Sequence, residues 1–239
     1  MWELIYSALI GPFVSPYRYK NFFQQLYFVG NQSLYIIVFC VVFAAVVTIL
    51  ESSFHMKLVI QNDSMVPGFA TLLILRELGA VVTALLLTSR VGAGYASEIA
   101  TMQITEQNDA LKMLGIDPVH FLLVPRFMAS VVGTVMLTAI ANVVCIFAAM
   151  LVSDIYLGYS PSVFLGFAQR FVGFQDFYLA LVKAAFFGAI IPIVACYFGF
   201  RSKSGADGVG RATTNTVVVA AVSIIITDFI LSFIFSYLY

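Results

Sequence analysis

Charge is what this sequence has least of. Charged residues fill 10% of its 239 positions, with 12 Lys and Arg against 12 Asp and Glu. A chain of zero net charge offers no bulk attraction to nucleic acid, and no such partner is expected. Cysteine is scarce as well. Cys40, Cys145 and Cys196 each sit inside an apolar run without metal-ligand spacing, and they read as small core side chains. His55 and His120 have no second ligand at helical spacing, so no metal site is expected. No G-x-x-x-x-G-K-[ST] loop is present, which leaves the chain without an evident way to hold ATP. No His, Asp and Ser cluster stands in catalytic order, which argues against an intramembrane enzyme. The opening MWELIYSALIGPF lacks a basic region ahead of an apolar stretch and does not read as a cleaved signal. Internal repeats and low-complexity tracts are also missing, so one membrane domain over 1–239 is the simplest partition.

What is abundant is apolar surface. Hydrophobic residues make up 62% of the chain. Mean hydropathy is +1.00, more than a soluble domain of this length can bury, so the bilayer is the solvent that fits. A spanning helix needs about 20 mostly apolar residues. Five stretches qualify: 27–50, 66–89, 127–152, 177–200 and 214–238. Residues 1–26 differ. Gly11-Pro12, Ser15-Pro16, Arg18 and Lys20 interrupt the apolar residues, while Trp2, Tyr6, Tyr17 and Tyr19 suit the headgroup zone. An interfacial helix is expected there. The fold class is therefore an all-α integral membrane protein with an N-terminal interfacial helix and five transmembrane helices.

Lys and Arg in the loops orient it. With the N-terminus inside, Arg18, Lys20, Arg90, Lys112, Arg126, Arg201, Lys203 and Arg211 are inside, and only Lys57 and Arg170 are outside. This predicts a cytoplasmic N-terminus and a C-terminus on the far side. The outer segment from Tyr156 to Phe174 is aromatic and fits either a small interfacial helix or a plain connector.

The inner loop from Arg90 to Arg126 is the longest polar stretch. Thr105 is a plausible N-cap, and Glu106 and Asp109 lie near the positive end of a helix dipole. Ala110, Leu111 and Leu114 form an apolar stripe, Gly115 fits the C′ position and Pro118 forbids continuation. A short amphipathic helix over 104–116 is predicted. Its stripe must bury against this protein, the membrane plane or a groove on a soluble partner.

Ionisable residues inside spans usually have a partner or a task. Arg76, Thr83 and Arg90 recur at seven-residue steps and should share a face of the second span, with Glu77 beside it. Arg76 suits a lipid phosphate, or it pairs with Glu77 or another helix to hold the bundle. Leu72, Leu75, Leu78, Val82 and Leu86 on the same span suit acyl chains. Lys183 and Asp228 fall at similar depth with opposite charge, and an ion pair between them is expected. Gly92, Ala93, Gly94, Ala96 and Ser97 permit close backbone approach or form a hinge. Pro192 should kink the fourth span.

The stretch Glu106, Ala110-Leu111, Gly115, Asp117-Pro118 and Pro125 resembles the coupling loop of ABC importer permeases. The wider block ELGAVVTALLLTSRVGAGYASEIATMQITEQNDALKMLGIDPVHFLLVPR, Glu77 to Arg126, closely resembles the signature region of the MlaE family of phospholipid transport permeases. That resemblance implies a bacterial inner-membrane subunit rather than a plastid one, since no transit peptide is evident. It implies a homodimer bound to two ABC ATPase subunits, which hold the ATP, with this chain binding no cofactor. It further implies a periplasmic MCE-domain partner, in some systems a STAS-domain subunit, and a role in outer-membrane lipid asymmetry. Glu98, Thr105, Glu106, Asp109, Leu111, Leu114 and Gly115 would couple to the ATPase. Arg76, Glu77, Leu72, Leu75, Leu78 and Val82 would meet the lipid. The alternatives are an ABC permease for another hydrophobic or small solute, or a subunit that only anchors partners.

Overall fold

A computed structural model describes Leu4, residues 19–56, Leu58, 65–203 and 205–238 of the chain. Every regular element among them is helical. Among the described residues, five helices are long and apolar enough to cross a membrane. They are α1 (Tyr19–His55), α2 (Val66–Ile104), α4 (Pro118–Leu157), α6 (Phe174–Phe200) and α7 (Gly205–Leu238). Two short helices lie between them, α3 (Gln107–Met113) and α5 (Pro161–Phe171). The expected interfacial helix over 1–26 falls mostly outside the described residues, and its last part, Tyr19 to Gln25, belongs to α1.

The helices outrun the apolar stretches. α2 continues past Ser89 to Ile104, and α4 starts at Pro118 rather than Phe127. Asp117 explains the latter start: its Oδ1 accepts the Val119 N–H at 2.9 Å, a side-chain N-cap with proline at the first helical position. Pro125 and Pro192 lie inside α4 and α6, and both helices continue across them.

α2 is not uniform. Wider π turns occupy Ile74–Leu78 and Thr88–Gly92. Each shifts the helical phase, so seven-residue spacing no longer fixes a common face. Thr83 is fully buried while Arg76 and Arg90 are half-buried.

By internal packing the chain forms two compact units. The first comprises 1–33, 84–134 and 185–239. In it the end of α2 packs on α7, and Ile99, Leu123 and Cys196 form a buried core with Leu4. Small residues set its tightest contacts. A Cβ on Gly188 would lie 2.8 Å from the Ser130 carbonyl oxygen, and one on Gly199 2.8 Å from Ile99. Gly92 approaches Ile191 and Gly94 approaches Phe28, so these glycines serve close packing within a continuous helix.

The second unit comprises 34–83 and 135–184. Here α5 packs on the start of α2, burying Phe164 and Ala168, and the Phe171 ring sits against Gly68. The aromatic outer segment is thus a short helix rather than a plain connector. Gly79 lets Asn142 of α4 approach; a Cβ there would fall 1.7 Å from its Oδ1.

Candidate functional site

Two groups of predicted residues have defined geometry, one in each unit.

In the second unit, the π turn of α2 carries Arg76 and Glu77 side by side. They do not pair with each other. Arg76 Nε donates to Asp176 Oδ1 at 2.6 Å, and Asp176, in the first turn of α6, also accepts the Gly173 N–H at 2.9 Å. Lys183, fully buried, sends its ammonium to both Glu77 oxygens at 3.1 Å and to the Arg76 carbonyl at 3.0 Å. The sequence did not anticipate Glu77 as a partner of Lys183.

Asp176 was the residue that sequence reasoning missed. A signal existed, since Asp176 and Lys183 stand seven apart on one face of α6 and match the adjacent pair Arg76 and Glu77. Arg76 remains 40% exposed, and its terminal nitrogens make no hydrogen bond among the described residues. Leu72, Leu78 and Val82 are half-buried, as is Leu86. Leu75 is 4% exposed, packed inside the protein rather than offered to an acyl chain.

In the first unit, α2 ends at Ile104 with Thr105 as its C-cap. Thr105 Oγ1 donates back to the Thr101 carbonyl at 2.8 Å, so it closes α2 and does not cap the next helix. The corner is made by Glu106, whose φ of 59° puts a non-glycine residue in the left-handed region. Such a conformation costs roughly 1–2 kcal/mol. Gln103 and Asn108 tie the corner from within, with Asn108 Nδ2 donating to Gln103 Oε1 at 2.8 Å.

α3 is then seven residues long, shorter than the predicted 104–116. Asp109 in its first turn accepts from Lys112 Nζ at 2.8 Å. Its end is a Schellman closure. Gly115 N–H donates to the Lys112 carbonyl and Ile116 N–H to the Leu111 carbonyl, with Gly115 at φ 74°. Leu111 is half-buried, but Met113 and Leu114 are 88% and 74% exposed. The helix is firmly terminated and presents an apolar tip.

Behind it, Arg126 of α4 is buried. It pairs ionically with Glu98, Nη2 to Oε2 at 2.9 Å, donates to the Leu122 carbonyl at 3.1 Å, and lies 5.5 Å from the Tyr95 ring centroid. Glu98 and Arg126 stand on either side of the α3 loop, so they tie the helix entering it to the helix leaving it. Arg126 had been read only as a topology signal.

Comparison with known proteins fits this layout. The profile described as Permease MlaE matches residues 22–234. A probable ABC transporter permease protein of Rickettsia typhi is 35% identical over 95% of this chain and 86% of its own length. The chloroplastic protein trigalactosyldiacylglycerol 1 of Arabidopsis thaliana is 34% identical over 90% of this chain and 61% of its own length. A probable ABC transporter permease protein of Synechocystis is 34% identical over 89% and 81%. With the match running from α1 nearly to the end of α7, this multi-pass chain belongs to the MlaE family of ABC transporter permeases, components that work with separate ATPase subunits.

Proposed function

We propose that this protein is the transmembrane permease of an ABC-type phospholipid transporter in a bacterial inner membrane, with its N-terminus in the cytoplasm. As a homodimer it passes lipid between that membrane and a periplasmic MCE-domain protein, and so maintains outer-membrane lipid asymmetry. A STAS-domain subunit is a further partner in this reading.

The observation that carries it is the exposed apolar tip of α3, Met113 and Leu114, on a rigidly capped helix set between two spans. In water such a tip favours burial in a partner's groove, at about 25 cal/mol per Å² of apolar surface covered. An ATPase subunit gripping it would push on α2 and α4 together through Glu98 and Arg126. Lipid as cargo is supported by the spans, which offer apolar side chains and a half-exposed guanidinium at Arg76. Asp176 orients that group through Nε, and a phosphate suits the remaining nitrogens. Half-exposed Leu72, Leu78 and Val82 suit acyl chains. The Arabidopsis relative is named for a diacylglycerol lipid, which favours the same cargo class. A small polar solute would need a wetter path than these spans provide.

The test is purification of the native complex in mild detergent, with proteins and lipids identified by mass spectrometry. Co-purifying ATPase, MCE-domain protein and phospholipid are expected. Recovery of the chain without an ATPase would overturn the reading.

A further inference from the structure

Threonine hydroxyls buried in this protein have a habitual partner. Thr71, Thr88, Thr134 and Thr216 each donate to the carbonyl four residues earlier, at 2.7–2.8 Å. Thr83 and Thr138 are equally buried, at 0% exposure, yet neither hydroxyl has a hydrogen-bond partner among the described residues. Asn142, at 1%, is in the same position with both its amide oxygen and its nitrogen. All three lie in the second unit.

They also belong to one layer. Gly79 of α2 faces Asn142 of α4 at close range. As successive spans, α2 and α4 run antiparallel. One turn along α2 from Gly79 is Thr83, and one turn back along α4 from Asn142 is Thr138. The register therefore brings both hydroxyls to the level next to the amide. Leaving four such atoms dry would cost about 1–3 kcal/mol each. Two of the side chains could have avoided this by bonding their own helix.

We propose that Thr83, Thr138 and Asn142 form an internal water-binding site between α2 and α4. Each hydroxyl gives one donor and accepts, and the amide gives two donors and accepts. The three side chains carry no charge, so the matching ligand is small, neutral and both donor and acceptor. A water with two to four such partners meets the requirement. The site would give the α2–α4 contact a polar layer whose bonds can exchange inside an apolar environment.

Water-edited solid-state NMR of the full chain, 15N-labelled on asparagine in phospholipid vesicles, tests this. The Asn142 side-chain amide, assigned by its loss in Asn142→Ala, should receive magnetisation from water at short mixing times. The Thr83→Val/Thr138→Val variant should slow that build-up several-fold. Thr83→Val alone should lower the melting temperature, because it strips a bound water of one partner. No early transfer to Asn142 in the wild-type chain would overturn the proposal, even if a variant fails to fold. So would early transfer that the double valine variant leaves unchanged. A rise in melting temperature in Thr83→Val would also overturn it, since that is the mark of a hydroxyl that had been dry.

Discussion

In the second unit, Arg76 and Glu77 leave α2 together and are met by Asp176 and Lys183 of α6, so each charge has an opposite one within 3.1 Å. In the first unit, the polar investment lies at the α2–α3 corner. There Glu106 holds a left-handed backbone, Asn108 is buried against Gln103, and Met113 and Leu114 stand in the open. One arrangement satisfies its groups within the chain. The other holds a fixed corner whose apolar end, Met113 and Leu114, stays exposed among the described residues. The difference separates charges satisfied within the bundle from apolar side chains left exposed at a loop.

The comparison can be broken most severely at Lys183. Lys183→Met leaves the Glu77 carboxylate without its cation. It should cost about 3 kcal/mol, the low end for a broken buried pair because Glu77 is half-exposed. Thermal unfolding in detergent would show it. Adding Glu77→Gln should recover most of the loss.

Close packing in the first unit gives the next effect. In Gly188→Ala the new methyl meets the Ser130 carbonyl at 2.8 Å and the Val131 Cα at 3.0 Å, and backbone cannot rotate aside. A cost of about 1–3 kcal/mol in the same assay is expected. Gly79→Ala should cost less, since its obstacle is the Asn142 side chain, which can turn.

The smallest effects belong to the loop. Gly115 sits at φ 74° with open space around it, so Gly115→Ala should lose about 1 kcal/mol from backbone strain alone. Glu106→Gly should act in the opposite direction by up to about 1 kcal/mol, read as slower amide exchange across α3. If both variants left exchange unchanged, the corner would not be the strained joint described above.

Much of this was legible beforehand. Five apolar stretches gave the five spans, and Gly115 with Pro118 marked where α3 stops and α4 begins. Hydropathy could not show how far the helices run. Polar ends such as Val91–Ile104 stay helical because Tyr95 and Ile99 are buried by other helices. Periodicity could not reveal the π turns of α2. Depth along a span says nothing of the side a residue faces, so the meeting of Glu77 with Lys183 was not anticipated. Thr105 looked like an N-cap by type, but a threonine hydroxyl serves the end of α2 equally well by bonding back to Thr101. Leu75 matched its leucine neighbours in character, and only packing set it apart.

The central claim is that the α3 tip is the grip of an external ATPase. Its most direct measurement is the affinity of the nanodisc-reconstituted chain for the ATPase subunit recovered with it, before and after Met113→Asp/Leu114→Asp. Both residues are exposed, so the melting temperature should hold while affinity falls at least tenfold, about 1.4 kcal/mol. Unchanged affinity with the fold intact would contradict the account.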